Sequence, residues 1–440
     1  MNSIKLDIYR DRLQQATLFG YIGKVTRVIG LIMEVKGIYA SIGDICSIEV
    51  SGRSNQLPAE VVGFKDDSSM LMALGELKGI SPGCRVFALG KAFKIAVGED
   101  LLGKVVNGLG ECMGEDSPPL TEGSYSVQNV PPDPIRRKAI TDILATGVRA
   151  IDALLTCGVG QRLGIFAGSG VGKSTLLGMI ARNSSADVNV IGLIGERGRE
   201  VNEFIERDLG PDGLARSVVV VATSDQPALI RVKAALVATS IAEYFRDKGK
   251  NVLLMMDSIT RFAMAQREIG LAVGEPPTSK GYTPSVFALL PKLLERAGNL
   301  DSGSITGLYT ILVEGDDMNE PIADAARGIL DGHIVLSRKI ATQNHFPAID
   351  ILESISRLMP SIASKQQQKL AAVMRSHMAV YSQNQDMINI GAYVSGSNPE
   401  IDAAIAINPA IVRFLQQDIN ETYAFEDTLR TLADVVGNEV

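Results

Sequence analysis

The sequence predicts an α/β protein with a buried, mostly parallel sheet at its centre, a small all-β domain ahead of it and a helical domain behind it. Three observations carry that reading. Short Val- and Ile-rich runs between about Gly20 and Gly90 are punctuated by glycine at close intervals, from Gly23 and Gly30 through to Gly75, Gly79 and Gly83. From about Ile140 to Arg357, continuous apolar runs alternate with helical segments. Glycine then disappears from Ser361 to Ile390, where Leu370, Val373, Met374, His377, Met378 and Tyr381 recur at helical spacing. The divisions fall at 1–93, 94–362 and 363–440.

Taken in order, the first part has turn clusters at Ser51-Gly52-Arg53-Ser54 and Lys65-Asp66-Asp67-Ser68-Ser69. Short strands with regular turn signals suggest a small barrel or sandwich. A proline-rich connection follows, Ser117-Pro118-Pro119 and Val130-Pro131-Pro132-Asp133-Pro134. Proline lacks an amide donor and cannot continue a helix, so this stretch should be extended and irregular. The central strands are Leu163–Ala167, Val188–Ile194, Val218–Ala222 and Val252–Met256. They are apolar on both faces, which requires helices on each side of the sheet. In the helical tail, the Met and Tyr residues of the stripe read as core packing.

Composition excludes several classes. The 440 residues leave room for two or three domains, and 46% hydrophobic with 21% charged residues is a globular balance. The longest apolar runs are strand-length, far short of the ~20 residues a membrane-spanning helix needs. Met1-Asn2-Ser3-Ile4-Lys5-Leu6-Asp7 does not read as a secretory leader. A net charge of −7 and a pI near 5.3 disfavour a protein that blankets phosphates with Lys and Arg, so no nucleic-acid partner is expected. Cys46, Cys84, Cys112 and Cys157 show no CxxC pairing, and His333, His345 and His377 are scattered. Neither a zinc site nor a disulfide framework is expected, only buried thiols in a reducing cytoplasm.

The most specific signal is Ala167-Gly168-Ser169-Gly170-Val171-Gly172-Lys173-Ser174-Thr175, directly after an apolar strand and before a helical run from Leu176 to Arg182. Glycines let the backbone curl until several amides point at phosphate oxygens, and the helix presents its positive end to the same anion. In such a loop Lys173 reaches the terminal phosphates and the Ser174 hydroxyl ligates Mg²⁺. Gly168, Ser169, Gly170, Val171, Gly172 and Thr175 complete the nucleotide-binding set. Ala167 stands where the strict pattern has Gly.

Two further features fit that loop. The strand Val252–Met256 ends in Asp257, a carboxylate that can hold Mg²⁺ directly or through water. The strand ending at Ile194 is followed by Gly195-Glu196-Arg197-Gly198-Arg199-Glu200. Glu196 is positioned to polarise an attacking water, and Arg197 to neutralise charge on the phosphate oxygens.

With these residues in view, the chain resembles the rotary-type hexameric ATPases of the F- and V-type class. Within that class it resembles the flagellar and type III protein-export ATPases. The resemblance runs through Thr146-Gly147-Val148-Arg149-Ala150-Ile151-Asp152, Phe166 to Ser174, Gly195 to Glu200, and Asp257-Ser258-Ile259-Thr260-Arg261-Phe262. It continues through Gly281-Tyr282-Thr283-Pro284-Ser285 and Pro347 to Arg357. It implies an N-terminal β-barrel, a RecA-like core around the phosphate loop and a helical C-terminal domain. It also implies that Lys173, Glu196 and Arg197 are catalytic, that Arg357 is an arginine finger entering a neighbour's site, and that Phe346 packs on adenine.

Both Glu196 and Arg357 occur in this one chain, as a homo-oligomer needs. The resemblance implies Mg²⁺-dependent ATP hydrolysis by a homohexamer that supports type III export of flagellar proteins. Its implied partners are export-apparatus proteins, a stalk, a regulator, chaperones and export substrates. The implied location is cytoplasmic, peripheral to the inner face of the membrane at the export gate. The opening Gly23-Lys24-Val25-Thr26-Arg27-Val28-Ile29-Gly30-Leu31 resembles the flagellar branch more closely than the injectisome branch. An injectisome ATPase, a nucleotide-binding subunit without turnover and a hexameric RNA translocase are the alternatives.

Overall fold

The computed structural model describes residues 21–50, 56–114, 119–313, 315 and 317–437. The chain divides into two compact units, Met1–Phe93 with Leu271–Glu275, and Lys94–Gly270 with Pro276–Val440.

In the first unit six strands form a closed barrel: β1 (Ile22–Ile29), β2 (Ile32–Lys36), β3 (Asp44–Ile48), β4 (Leu57–Lys65), β5 (Ser68–Ala73) and β6 (Arg85–Ala92), in the order β1-β2-β5-β4-β3-β6. Closure removes the edges that an open sheet would expose. Val25, Val35, Cys46, Ile48, Val61, Leu71 and Val86 fill the interior. The alternative of a sandwich is thereby settled in favour of a barrel. The turn cluster at Ser51 to Ser54 lies outside the described residues.

The second unit is built on a larger sheet. Its strands are β7 (Val105–Asn107), β8 (Arg162–Ala167), β9 (Val188–Ile194), β10 (Ser217–Ala222), β11 (Asn251–Asp257), β12 (Ser304–Leu312), β13 (Gly332–Leu336) and β14 (Ile349–Ser356). They lie in the order β14-β13-β8-β12-β11-β9-β10-β7. All pairs from β13 to β7 are parallel, while β14 runs antiparallel to β13. Every residue of β9 and β10 is buried, which is why their sequences lack polar alternation. Helices α1 (Arg149–Leu154), α2 (Lys173–Asn183), α3 (Gly198–Glu203), α4 (Ala228–Asp247), α5 (Ile259–Val273) and α6 (Arg338–Ala341) connect the strands or cap their ends.

The proline-rich connection is pinned from within. Arg296 and Glu243, each no more than 2% exposed, form a two-pronged pair with contacts of 2.8 and 2.7 Å. Arg296 also donates to the Val127 carbonyl at 3.0 Å, and Asn129 donates to Glu243 at 2.9 Å. The stretch is not irregular throughout: Gly123–Ser126 forms a short strand paired antiparallel with Lys94–Val97. The chain then runs without regular structure to Asp133, whose side chain caps a 3₁₀ turn over Pro134–Arg136. Proline suits that start because its fixed φ is already helical. Ser117 and Pro118 lie outside the described residues.

Three long helices follow: α7 (Lys365–Asn389), α8 (Pro399–Leu415) and α9 (Phe425–Val436). Leu370, Ala371 and Met374 join Ile411, Phe414, Leu432 and Val436 in a hydrophobic cluster that continues into Ile151 and Leu177. The stripe leaves that core within α7. Val373 and Met378 are only partly buried, and His377 and Tyr381 are half-exposed. At ~1.5 Å per residue, the 25-residue helix is ~37 Å long and outruns α8 and α9.

Candidate active site

Parallel strands that end on one edge deliver their following loops to one place. Here β8 runs into the glycine-rich loop and α2 starts at Lys173. Gly170 and Gly172 have φ of +78° and +87°, a left-handed backbone that a side chain would strain. Gly168, Ser169, Gly170, Gly172, Lys173, Ser174 and Thr175 line a cleft of about 540 Å³. Val171, 1% exposed, turns its side chain into the core instead and anchors the loop.

Two other strand ends contribute charge. Asp257, the last residue of β11, is 3% exposed. Its Oδ1 accepts from the Thr310 hydroxyl at 2.7 Å and pairs with the Lys173 ammonium. Glu196, just beyond β9, has its Oε1 3.6 Å from Lys173 Nζ. Burial pushes the Glu196 carboxyl up to about 7, and the negative charge of Asp257 adds to the rise while Lys173 opposes it. Burial acts to lower the Lys173 ammonium, but the two carboxylates outweigh it and hold it above its ordinary value. A carboxylate and the Ser174 hydroxyl are hard oxygen donors suited to Mg²⁺, which takes few ligands from protein and the rest from phosphate and water.

The structure brings Lys173, Ser174 and Glu196 to one cleft, with Asp257 paired to Lys173. Arg197 lines the same cleft, is 78% exposed at its side chain and pairs with Glu200 at 3.1 Å. Arg261 and Arg338 also line it, and sequence reasoning did not single them out as site residues. Arg261 lies in the first turn of α5, four residues past Asp257; that spacing was the available signal. Its Nε is buried without a hydrogen-bond partner among the described residues. Arg338 opens α6 after β13, and only the strand order reveals that it is close.

Phe346 is 40% exposed, and its ring lies 3.4 Å from where a side-chain carbon on Gly172 would stand. Arg357 is elsewhere. The register sets Ser356 opposite Gly332, the first residue of β13, whereas the loop follows the last residue of β8 beside the end of β13. Arg357 therefore sits beyond the opposite end of the sheet, at least ~13 Å away at ~3.3 Å per residue. It is exposed, and it donates to the Arg327 carbonyl at 3.3 Å.

Three family models match successive stretches of the chain. The ATP synthase alpha/beta family beta-barrel domain matches residues 25–90, and that family's nucleotide-binding domain matches residues 147–356. The T3SS EscN ATPase C-terminal domain matches residues 363–434. A flagellum-specific ATP synthase of Bacillus subtilis is 55% identical over 98% of both chains. A type 3 secretion system ATPase of Xanthomonas euvesicatoria is 52% identical over 94% of this chain and 93% of its own. Among solved structures, the assembled ATPase EscN of the enteropathogenic E. coli type III secretion system superposes with a TM-score of 0.89 at 48% identity. It covers 94% of this chain and 100% of that one. EscN in complex with its central stalk EscO gives a TM-score of 0.87 at 47% identity, with the same coverage.

Proposed function

Because the chain belongs to the ATP synthase alpha/beta family, alongside its flagellum-specific ATP synthases and type 3 secretion ATPases, we propose that it hydrolyses ATP as a homohexamer to support type III export of flagellar proteins. The observation that carries this reading is the meeting of Lys173, Glu196 and Asp257 at the sheet edge where the phosphate loop begins.

On this reading the loop amides and Lys173 cradle the terminal phosphates. Ser174 and Asp257 would hold Mg²⁺, which when bound neutralises phosphate charge. Glu196 accepts a proton from the water it aligns, and a carboxyl held near neutrality suits that task. Arg197 approaches the phosphate oxygens once it leaves Glu200. Phe346 stacks on the adenine. Arg357 points away from its own loop, which suits a finger offered to the next protomer.

The fit to a stalk rests on the EscN–EscO complex. A regulator, chaperones, export substrates and a cytoplasmic position at the inner face of the membrane are part of the same proposal. Among the described residues no helix is long and apolar enough to cross a membrane. The 52% identity to the Xanthomonas enzyme favours an injectisome role as the second reading.

The experiment is phosphate release from Mg-ATP by the full-length chain, alongside expression in a Bacillus subtilis strain lacking its flagellum-specific ATP synthase. Turnover with restored swimming is the expected result. Turnover without swimming would favour the injectisome reading, and absence of turnover in assembled protein would overturn the enzyme reading.

A further inference from the structure

The buried side chain of Gln417 ties the helical part of the chain to the base end of the nucleotide site. Gln417 follows α8 and is 4% exposed. Its Oε1 accepts from the Arg149 amide at 2.9 Å, and its Nε2 donates to the carbonyls of Gly147 at 2.8 Å and Glu421 at 3.0 Å. All three partners are backbone groups of fixed polarity, so the amide has one orientation only. The backbone amide of Gln417 donates to the Phe346 carbonyl at 3.0 Å. Proline follows Phe346 and brings no amide of its own to hold this corner.

The neighbouring residues carry the same strap to the far end of the phosphate-loop helix. Arg182 donates to the Ile419 carbonyl at 2.6 Å, and Thr422 donates to Asn183 at 3.0 Å. The Arg149 guanidinium lies 4.1 Å over the Tyr423 ring.

We infer that Gln417 is a positioning residue: by locking its loop onto the Gly147–Arg149 turn, it fixes the Phe346 backbone and so sets how well the aromatic ring receives the nucleotide base. The inference rests on the proposed role of Phe346. It concerns the base alone, since Gln417 has no hydrogen bond to the loop that holds phosphate. Removing the side chain leaves the Arg149 amide and the Gly147 carbonyl buried and unpaired, so the loop shifts to re-solvate them and draws Phe346 with it.

The test uses Gln417→Met, which keeps length and volume while removing every polar atom, beside Gln417→Ala, Phe346→Ala and the double variant Gln417→Met/Phe346→Ala. Calorimetry gives the affinity of each for ADP and for inorganic tripolyphosphate, a ligand with no base. Gln417→Met should weaken ADP about fivefold, the fold-change of one lost hydrogen bond, and leave tripolyphosphate within about twofold. In the Phe346→Ala background the same substitution should add less than about twofold, because the two residues act in series. In Mg-ATP turnover the loss should appear in KM rather than kcat.

If Phe346→Ala weakens ADP but Gln417→Met does not, or if their effects simply multiply, the inference is wrong and the role of Phe346 stands. Equal weakening of tripolyphosphate would show a general disturbance and also overturn it. If Phe346→Ala leaves ADP affinity unchanged, the reading of Phe346 fails and the inference fails with it.

Discussion

Lys173 serves two acidic groups at once, pairing with Asp257 while its Nζ lies 3.6 Å from Glu196 Oε1. Lys173→Ala therefore removes the cation for the terminal phosphates and leaves two carboxylates facing each other. Contacts of this kind are worth ~3–4 kcal/mol in a transition state, so turnover should fall at least a hundredfold. Phosphate release within a few-fold of the parent would sink the assignment of the loop.

Glu196→Gln preserves shape and hydrogen bonding but has no basic oxygen for the water's proton. Nucleotide binding, followed by fluorescence, should persist while phosphate release is lost. Retained release would move the role to another carboxylate, and Glu200 in the same cleft is the next candidate.

The raised Glu196 carboxyl sets a pH dependence. Below about 7 the group is mostly neutral and cannot act as a base; above it the carboxylate is present. kcat/KM should therefore climb through about pH 7 and level off on the alkaline side, reporting the free enzyme. A flat profile from pH 6 to 8 in the parent would count against Glu196 as the base.

Arg357→Ala should depress turnover while leaving the fold and nucleotide binding intact. Arginine fingers are worth about 10³–10⁵ in rate. An Arg357→Ala chain keeps Glu196, and a Glu196→Gln chain keeps Arg357, so mixed hexamers should recover part of the activity at interfaces that unite both groups. No recovery in demonstrably mixed hexamers would refute action in trans.

The buried pair of Arg296 and Glu243 predicts an asymmetry in stability. Arg296→Met alone leaves Glu243 charged and uncompensated at 2% exposure, a cost of about 3–5 kcal/mol. Replacing Glu243 with Leu as well should restore much of that loss. Urea denaturation of the single and double variants reads it directly, and equal stabilities of parent and single variant would contradict the argument.

Legibility from sequence followed what each residue depends on. β9 was readable to its end residues because both its faces are buried and its neighbours are turns. Asp257 and Glu196 were readable because they end or closely follow recognisable strands, and Lys173 because it closes the glycine-rich loop that β8 runs into; parallel strands share an edge. Arg338 and Gln417 depend on which strands and loops lie side by side, and no local pattern encodes that. The reversed direction of β14 was also hidden. An antiparallel edge strand differs from its parallel neighbours in hydrogen-bond partners rather than in composition.

That reversal has a consequence for inheritance. On the proposed assignment, Lys173 and Glu196 work for the chain that carries them, while Arg357, carried by β14 to the opposite side of the sheet, works for the chain next door. In a cell expressing parent and Arg357→Ala genes together, each altered subunit would disable an unaltered neighbour while its own site is completed by whichever chain adjoins it. The lesion and the defect are then displaced by one position around the ring, always in the same rotational sense.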